Sequence, residues 1–455
     1  MSKRITHCRA CGSAALSPAF SIDGAALETG RKGFLNRSKD ASIEFVLCDP
    51  SRDVHACGLL QNAHQERPVR KAAPAGAFRT ARSSLRSLAT EGLELISGRD
   101  CAALDIGCAD GTLLSFYPRW VERFGVDPDD SVDQIGEWAW TAKASFPSAD
   151  LDRAFAGKKF DLITSAGMLE EIDEPRAFFA RVKSLLTEDG VFALETLYAP
   201  MTLTHTSIDA FAGGVSAVYS LTVLERILRD CELKIFRGAI NDRNGGSLRA
   251  FITHAESSDY DFDPWFERLA QLWDEENALA LRARQPYQAF QSRAENIRVA
   301  FEKMMIDMDA RGQTVHLFGV GTQSAALYAM AGAGAHAIEA VISVEEIESG
   351  ARLCVGGPPI ISENESRQVE PDFIVAPAAL KRELLERWRE AILTGASLIF
   401  ATPHPHIVNQ GNYAAEFGKA LAAADGGGEE ENLRSILSAA GGLRLVGGTA
   451  VRKRA

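Results

Sequence analysis

No stretch of this 455-residue chain approaches the roughly 20 uninterrupted apolar residues that cross a bilayer, so a membrane span is not expected. The first residues, Met-Ser-Lys-Arg-Ile-Thr-His-Cys, lack the apolar centre of a secretory signal, and a cytoplasmic location is the expectation. Basic excess is missing too. The 49 Lys+Arg against 61 Asp+Glu leave a formal net charge of -12, which repels a phosphate backbone, and nucleic acid is not expected as a partner. Cysteine is sparse: eight residues in a reducing compartment suit metal ligation or burial better than a disulfide framework. Cys101, Cys108, Cys231 and Cys354 stand alone and read as small core residues.

What is present is enough apolar sequence, 46% hydrophobic residues, for several cores and about three domains. Residues 5–65 have little periodicity and are rich in Gly, Ser, Asp and Arg, too little apolar material to fold without a staple. The remaining cysteines supply one. Cys8 and Cys11 place two thiols on one tight turn, and Cys48 and Cys57 complete a candidate S4 set, the closed arrangement of structural Zn²⁺.

After a Pro/Ala/Gly-rich passage at 68–76, strands and helices alternate. Strands are expected at 102–106, 123–126, near 144–150, at 160–165 and at 190–196. Helices are expected from about 112, over 133–144 and over 175–186. That alternation implies an α/β fold with a parallel, doubly wound sheet whose ligand lies beyond the C-terminal strand ends. Residues 261–311 read as helical, with an apolar stripe through Leu269, Leu272, Phe290, Ile297, Phe301 and Met305 that bridges two lobes. A second α/β pattern starts at Thr314-Val-His-Leu-Phe-Gly-Val-Gly and ends near 396–403, and the end of the chain, with 420–431 inside it, reads as a flexible appendage.

The turn Asp105-Ile-Gly-Cys-Ala-Asp-Gly111 has a D-x-G-x-x-x-G form, in which glycines admit close backbone approach and the following helix is expected to offer free N–H groups to an anion. Sixteen residues on, Asp127 ends the second strand, placed to accept hydrogen bonds from both ribose hydroxyls. Phe160-Asp-Leu-Ile-Thr-Ser-Ala-Gly-Met-Leu-Glu-Glu-Ile-Asp-Glu-Pro175 then resembles the F-D-x-I-x-x-x-x-V-L-E-H-I-x-D-P stretch of class I S-adenosylmethionine methyltransferases, with Glu171 where the histidine is usual.

Over residues 5–408 the chain is similar to sugar C-methyltransferases that act on nucleotide-linked deoxy-keto sugars. The matching stretches include Cys57-Gly-Leu-Leu-Gln, Leu194-Glu-Thr-Leu-Tyr198, Tyr219-Ser-Leu-Thr-Val-Leu-Glu-Arg226, Asn244-Gly-Gly-Ser-Leu-Arg249, Phe318-Gly-Val-Gly321 and Pro371-Asp-Phe-Ile-Val375. The resemblance implies an N-terminal zinc-binding module over 1–75 and a central class I methyltransferase Rossmann-like domain over 76–255. A helical connector over 256–310, a C-terminal Rossmann-like domain over 311–410 and a tail over 411–455 complete the expected organisation. It implies S-adenosylmethionine and Zn²⁺ as cofactors, a nucleotide-linked sugar as small-molecule substrate, and a monomer or homodimer. Asp105, Gly107, Cys108, Gly111, Asp127, Met168 and Glu170 fall at cofactor-binding positions, and Tyr198, Asn244 and Ser247 at substrate-binding positions. The implied reaction removes a proton beside a ketone and lets the resulting carbanion attack the S-methyl group.

The acceptor side departs from that pattern. A Y-H-E-H-L-S-Y-like catalytic stretch is expected before Tyr219, but the chain reads Phe211-Ala-Gly-Gly-Val-Ser-Ala-Val-Tyr219. His205 and Tyr219 become the candidate catalytic residues, with Asp209 and Glu195 nearby. In the third domain a usual lysine is missing from Gly321-Thr-Gln-Ser-Ala-Ala, and Pro377-Ala-Ala stands where an aromatic residue is common. O- or N-methylation of a related sugar or metabolite, and a non-catalytic ligand-binding role, stay open alongside C-methylation.

Overall fold

A computed structural model describes residues 3–23, 28–29, 35–36, 42–65, 75–96, 100–155, 157–346 and 350–424. No helix among the described residues is long and apolar enough to cross a membrane. The N-terminal part is an antiparallel sheet of β1 (Leu16–Asp23), β2 (Ser42–Cys48) and β3 (Leu60–Asn62). Alternation along β1 turns Phe20 and Ile22 inward, and Phe45 and Leu47 of β2 join them.

Helix α1 (Arg79–Glu94) leads into the central domain, burying Leu85, Leu88 and Ala89 on one stripe. Its sheet contains β4 (Ala102–Ile106), β5 (Glu122–Asp127), β6 (Trp140–Lys143) and β7 (Phe160–Ala166). Helix α2 (Pro175–Leu185) follows, with proline in its first turn, and then β8 (Leu186–Leu197). A short strand β9 (Ala217–Val218) leaves this domain and pairs with β3, so one strand of the N-terminal sheet comes from the acceptor-side segment. Helix α3 (Leu221–Asp230), β10 (Leu233–Asn241) and β11 (Ser247–His254) close the domain. The spatial order is β6-β5-β4-β7-β8-β11-β10, parallel through β8 and antiparallel thereafter. The central strands are buried on both faces, as in β4, where all five residues are buried.

Helices α4 (Asp263–Ala278) and α5 (Gln285–Ala310) follow. The stripe residues Phe290, Ile297, Phe301 and Met305 are buried in one cluster with Phe20 and Phe45 of the N-terminal sheet and with Leu317 and Val341 beyond. That second α/β unit has β12 (Val315–Phe318), α6 (Thr322–Met330), β13 (Ile338–Ser343), β14 (Ile360–Ser362) and β15 (Phe373–Ala376). Helix α7 (Lys381–Arg387), β16 (Ser397–Phe400) and β17 (His406–Val408) complete it. Its order is β14-β13-β12-β15-β16-β17, parallel except for the last strand.

Four sequence expectations fail locally. The helix from 112 is absent: only a 3-10 turn, Leu114–Phe116, stands there, because Pro118 lies seven residues after Gly111 and cuts the segment short. The helix over 133–144 is replaced by 3-10 turns at Asp130–Gln134 and Gly136–Trp138 and by β6, with the break at Gly136, whose φ is +69°. The third strand accordingly sits at Trp140–Lys143, not at 144–150. At the C-terminus, helix α8 (Tyr413–Ala424) is packed rather than an appendage: Tyr413 is buried and its hydroxyl donates to the Leu385 carbonyl at 2.9 Å. The rest of that expected appendage, 425–455, lies outside the described residues.

Candidate functional site

The C-terminal ends of β4 and β5 carry the glycine turn and Asp127 side by side, with Ile106 paired to Val126 across the strands. Gly107 and Gly111 have φ of +80° and +76°, and a Cβ on Gly111 would sit 2.9 Å from Ile135. Both therefore demand glycine. The Asp127 carboxylate accepts the Ala109 N–H at 3.1 Å and the Asp129 N–H at 2.9 Å, which fixes the acid at the strand end and ties it to the turn. Asp105 is fully buried beneath the turn and accepts a hydrogen bond from the Thr164 hydroxyl at 2.8 Å; burial pushes its carboxyl up to about 7. Met168 closes the far wall, its sulfur 3.3 Å from where a Gly107 Cβ would stand.

The Cys108 thiol does not face this cradle. It points beneath β5, and a Cβ on Gly125 would come within 2.7 Å of it. Nor does a helix N-terminus meet the cradle, since the segment after Gly111 forms only the 3-10 turn. The anion contact expected there from free helical N–H groups is missing for that reason.

Glu170 is buried, accepts the Thr196 hydroxyl at 2.9 Å, and is raised from its ordinary value by desolvation. Beside it lies a polar network that sequence reading missed. Glu195 on β8 and Arg249 on β11 are cross-strand partners, joined at 2.7 and 2.9 Å. Arg243 reaches the other Glu195 oxygen at 2.7 Å, and Asn241 adds a bond at 2.6 Å. Burial alone would raise Glu195, but the two guanidiniums outweigh it and hold the carboxyl below its ordinary value. Only the antiparallel register of β8 with β11 brings these residues together.

The substrate-binding candidates separate. Tyr198 donates its hydroxyl to Glu276 at 3.2 Å, and Glu276 in turn accepts the N–H groups of Leu221 and Thr222 at the start of α3. Glu276 thus caps the start of α3 and holds the Tyr198 hydroxyl there. Asn244 sits at φ +53° in the turn between β10 and β11, and Ser247 ties that turn by donating to the Arg243 carbonyl at 2.9 Å. The turn lies over the end of β7, where an Arg243 nitrogen stands 3.5 Å from where a Gly167 Cβ would be.

His205 lies on the other side of the same turn, its Nδ1 3.1 Å from the Gly245 carbonyl. A carbonyl only accepts, so Nδ1 carries the proton and Nε2 keeps a lone pair. Desolvation lowers the imidazole from its ordinary value, leaving it neutral at pH 7. Tyr219 is wholly buried and, among the described residues, its hydroxyl has no hydrogen-bond partner; burial first, then the Glu170 charge, pushes it well up. Asp209, also buried, is raised to about 6 by desolvation. Gly213 and Gly214, where the family stretch would carry side chains, have φ of +75° and +93°, and a Cβ on Gly213 would fall 2.2 Å from Thr322 at the start of α6. The missing side chains thus coincide with close packing of the acceptor-side loop against the C-terminal unit.

In the N-terminal part, the sulfurs of Cys8, Cys11, Cys48 and Cys57 all lie within 4.8 Å of one another. Cys8 and Cys57 are 3.6 Å apart and Cys11 and Cys48 3.5 Å apart, too far for disulfides. Zinc with four Zn–S bonds of about 2.3 Å spaces its sulfurs about 3.8 Å apart, so the cluster fits a tetrahedral ion. Cys101, Cys108 and Cys354 are buried singly and Cys231 is half-buried.

Comparison with known proteins adds two matches in sequence. Residues 45–236 match the family described as methyltransferase domain. Residues 242–403 match a second family, described as C-methyltransferase C-terminal domain. The C-methyltransferase NovU of Streptomyces niveus is 24% identical over 229 residues, which cover 50% of this chain and 54% of that protein. The chain thus matches about half the length of that relative. A solved S-adenosylmethionine-dependent methyltransferase from Clostridium acetobutylicum aligns with TM-score 0.32 and 15% identity over 38% of this chain and 92% of its own. Magnesium protoporphyrin IX methyltransferase (ChlM) of Synechocystis PCC 6803, solved with bound SAM, aligns with TM-score 0.29 and 15% identity over 40% of this chain and 80% of its own.

Proposed function

We propose that the protein is an S-adenosylmethionine-dependent C-methyltransferase acting on a nucleotide-linked keto sugar, with a structural Zn²⁺ in its N-terminal module. The observation that carries the reading is the cradle of Gly107, Gly111 and Asp127 on adjacent strand ends, in a chain whose following segment matches a C-methyltransferase C-terminal domain. The donor-side residues fit the cofactor: two left-handed glycines leave room, Asp127 offers a ribose acceptor, and Met168 walls the pocket. When bound, S-adenosylmethionine supplies an electrophilic methyl carbon.

This chain's own residues hold the acceptor and move its proton. Neutral His205, with Nε2 as acceptor, takes the proton beside the ketone and stands in for the missing Glu/His pair. Arg243 and Asn244 border the acceptor side of the cradle on a turn braced by Glu195. The glycines at 213 and 214 favour a second reading, methylation of a sugar oxygen or nitrogen, which needs no carbon acid.

Mass spectrometry of products from methyl-labelled S-adenosylmethionine and a panel of nucleotide-linked keto sugars tests the proposal. Label on carbon, accompanied by solvent deuterium exchange at that carbon, supports C-methylation. Label on oxygen or nitrogen supports the second reading, and no binding of S-adenosylhomocysteine at high micromolar concentration sinks both.

A further inference from the structure

Helix α1 presents Arg79, Arg82 and Arg86 at spacings of three and four residues, which places them on one face. That face and α7 of the C-terminal unit enclose a cleft of about 330 Å³ to which α7 adds Arg382 and Glu386. This volume lies at the small end of ligand clefts, roughly 300–1,000 Å³. Four arginines meet Glu386, Asp242 beside Arg382 and the Asp110 carboxylate at the cradle end, 3.6 Å from where a Gly76 Cβ would stand, which leaves a local excess of one positive charge in a chain of net charge -12. Glu386 is engaged by Arg79 at 3.1 Å, and Asp242 stands 3.4 Å from Arg382. Among the described residues no carboxylate pairs with Arg82 or Arg86. Their guanidiniums both lie 5.0 Å from the ring centre of Phe116, on the 3-10 turn that replaces the expected helix, so an aromatic platform holds them without neutralising them.

The cleft adjoins the cradle. A Cβ on Gly76 would stand 3.8 Å from an Arg82 nitrogen and 3.0 Å from the Thr112 hydroxyl beside Gly111. The donor does not call for such a charge: S-adenosylmethionine has one carboxylate, balanced by its ammonium and exceeded by its sulfonium. A diphosphate does, because planar guanidiniums grip phosphate oxygens bidentately.

We propose that this interdomain arginine cleft binds the diphosphate group of the acceptor. The inference rests on the methyltransferase reading for the word acceptor, and on the cleft alone for the diphosphate.

Calorimetric titration of the full chain with inorganic pyrophosphate tests it. Saturable binding that weakens with salt is expected, and Arg82→Gln with Arg86→Gln should lower affinity about tenfold or more, the loss of at least one charge-assisted contact. Arg389→Gln, at an exposed arginine outside the cleft, should leave affinity unchanged. S-adenosylhomocysteine affinity should stay within about twofold in the double variant, below the ~1.4 kcal/mol of a tenfold change. No saturable pyrophosphate binding at millimolar concentration, an equal loss with Arg389→Gln, or loss of S-adenosylhomocysteine with pyrophosphate retained would each overturn the proposal. A chain that binds pyrophosphate in the cleft but never S-adenosylhomocysteine would keep the site and defeat the methyltransferase reading instead.

Discussion

Replacing Glu195 with glutamine tests whether its buried network holds the acceptor side together. The carboxylate is 1% exposed and binds Arg243, Arg249 and Asn241 at 2.6 to 2.9 Å. Glutamine keeps one acceptor oxygen but turns an N–H₂ group toward the surrounding N–H donors. Removing one partner of a buried pair costs about 3–5 kcal/mol. Arg249 retains Glu91 at 2.5 Å, whereas Arg243 loses its carboxylate, so the lower end, about 3 kcal/mol, is expected. For a unit of about 200 residues that lowers Tm by roughly 6–12 °C. Urea unfolding and a thermal melt measure it, and adding Arg243→Gln to Glu195→Gln should cost less than the sum of the single changes. The acid limb supplies a sign. The native carboxyl is held below its ordinary value, so its stabilisation is complete above that value and disappears as pH falls through the lower native one. Glu195→Gln should flatten that limb, and a loss below about 1 kcal/mol at neutral pH would refute the reasoning.

Metal analysis should find one zinc per chain, and Cys11→Ser should reduce it below one equivalent and lower the melting temperature of the N-terminal module; full zinc retention would count against the S4 set. Asp127→Ala should weaken S-adenosylhomocysteine about tenfold by calorimetry, since the acid also pins the Ala109 N–H of the turn. His205→Gln should abolish solvent deuterium exchange into the keto sugar while leaving S-adenosylhomocysteine binding intact. In the unaltered protein kcat/KM should rise with pH through a midpoint below the ordinary histidine value, because burial favours the neutral base. Gly213→Ala should destabilise docking of the C-terminal unit, seen as faster proteolysis between the units, because its Cβ would overlap Thr322.

The parts of the fold legible in the sequence were those with a local signature. The β4 strand and the turn after it follow from a continuous apolar run ending in spaced glycines, and α2 from a proline start and a 3.6-residue apolar pattern. Residues 112–144 misled, because Leu113 and Leu114 begin a helical pattern that Pro118 ends, and because Trp140 to Lys143 gain their strand geometry from pairing with Phe124 to Asp127 on the sheet edge. Tertiary register, not propensity, decided that segment. At the site, glycines and strand-end acids announce themselves by chemistry. The Glu195–Arg249 pair does not, since 54 residues separate them and only the reversed pairing of β8 and β11 makes them neighbours. Tyr198 illustrates the reverse: a polar residue in a promising stretch that folding commits to the start of α3 through Glu276.

Strand β9 gives the molecule a particular order of failure. Ala217 and Val218 hang from the edge of the cysteine-bearing sheet through β3, while Gly213 a few residues earlier is wedged against α6. The acceptor-side loop is thus held from three sides, the third being the central domain, where the Ser216 N–H donates to the Glu170 carbonyl at 2.7 Å, whereas the cradle at β4 and β5 is rooted in the central sheet. Stripping the N-terminal sheet of its staple would slacken one anchor of that loop. Recognition of the methyl acceptor would decay first, in a protein still able to hold its donor.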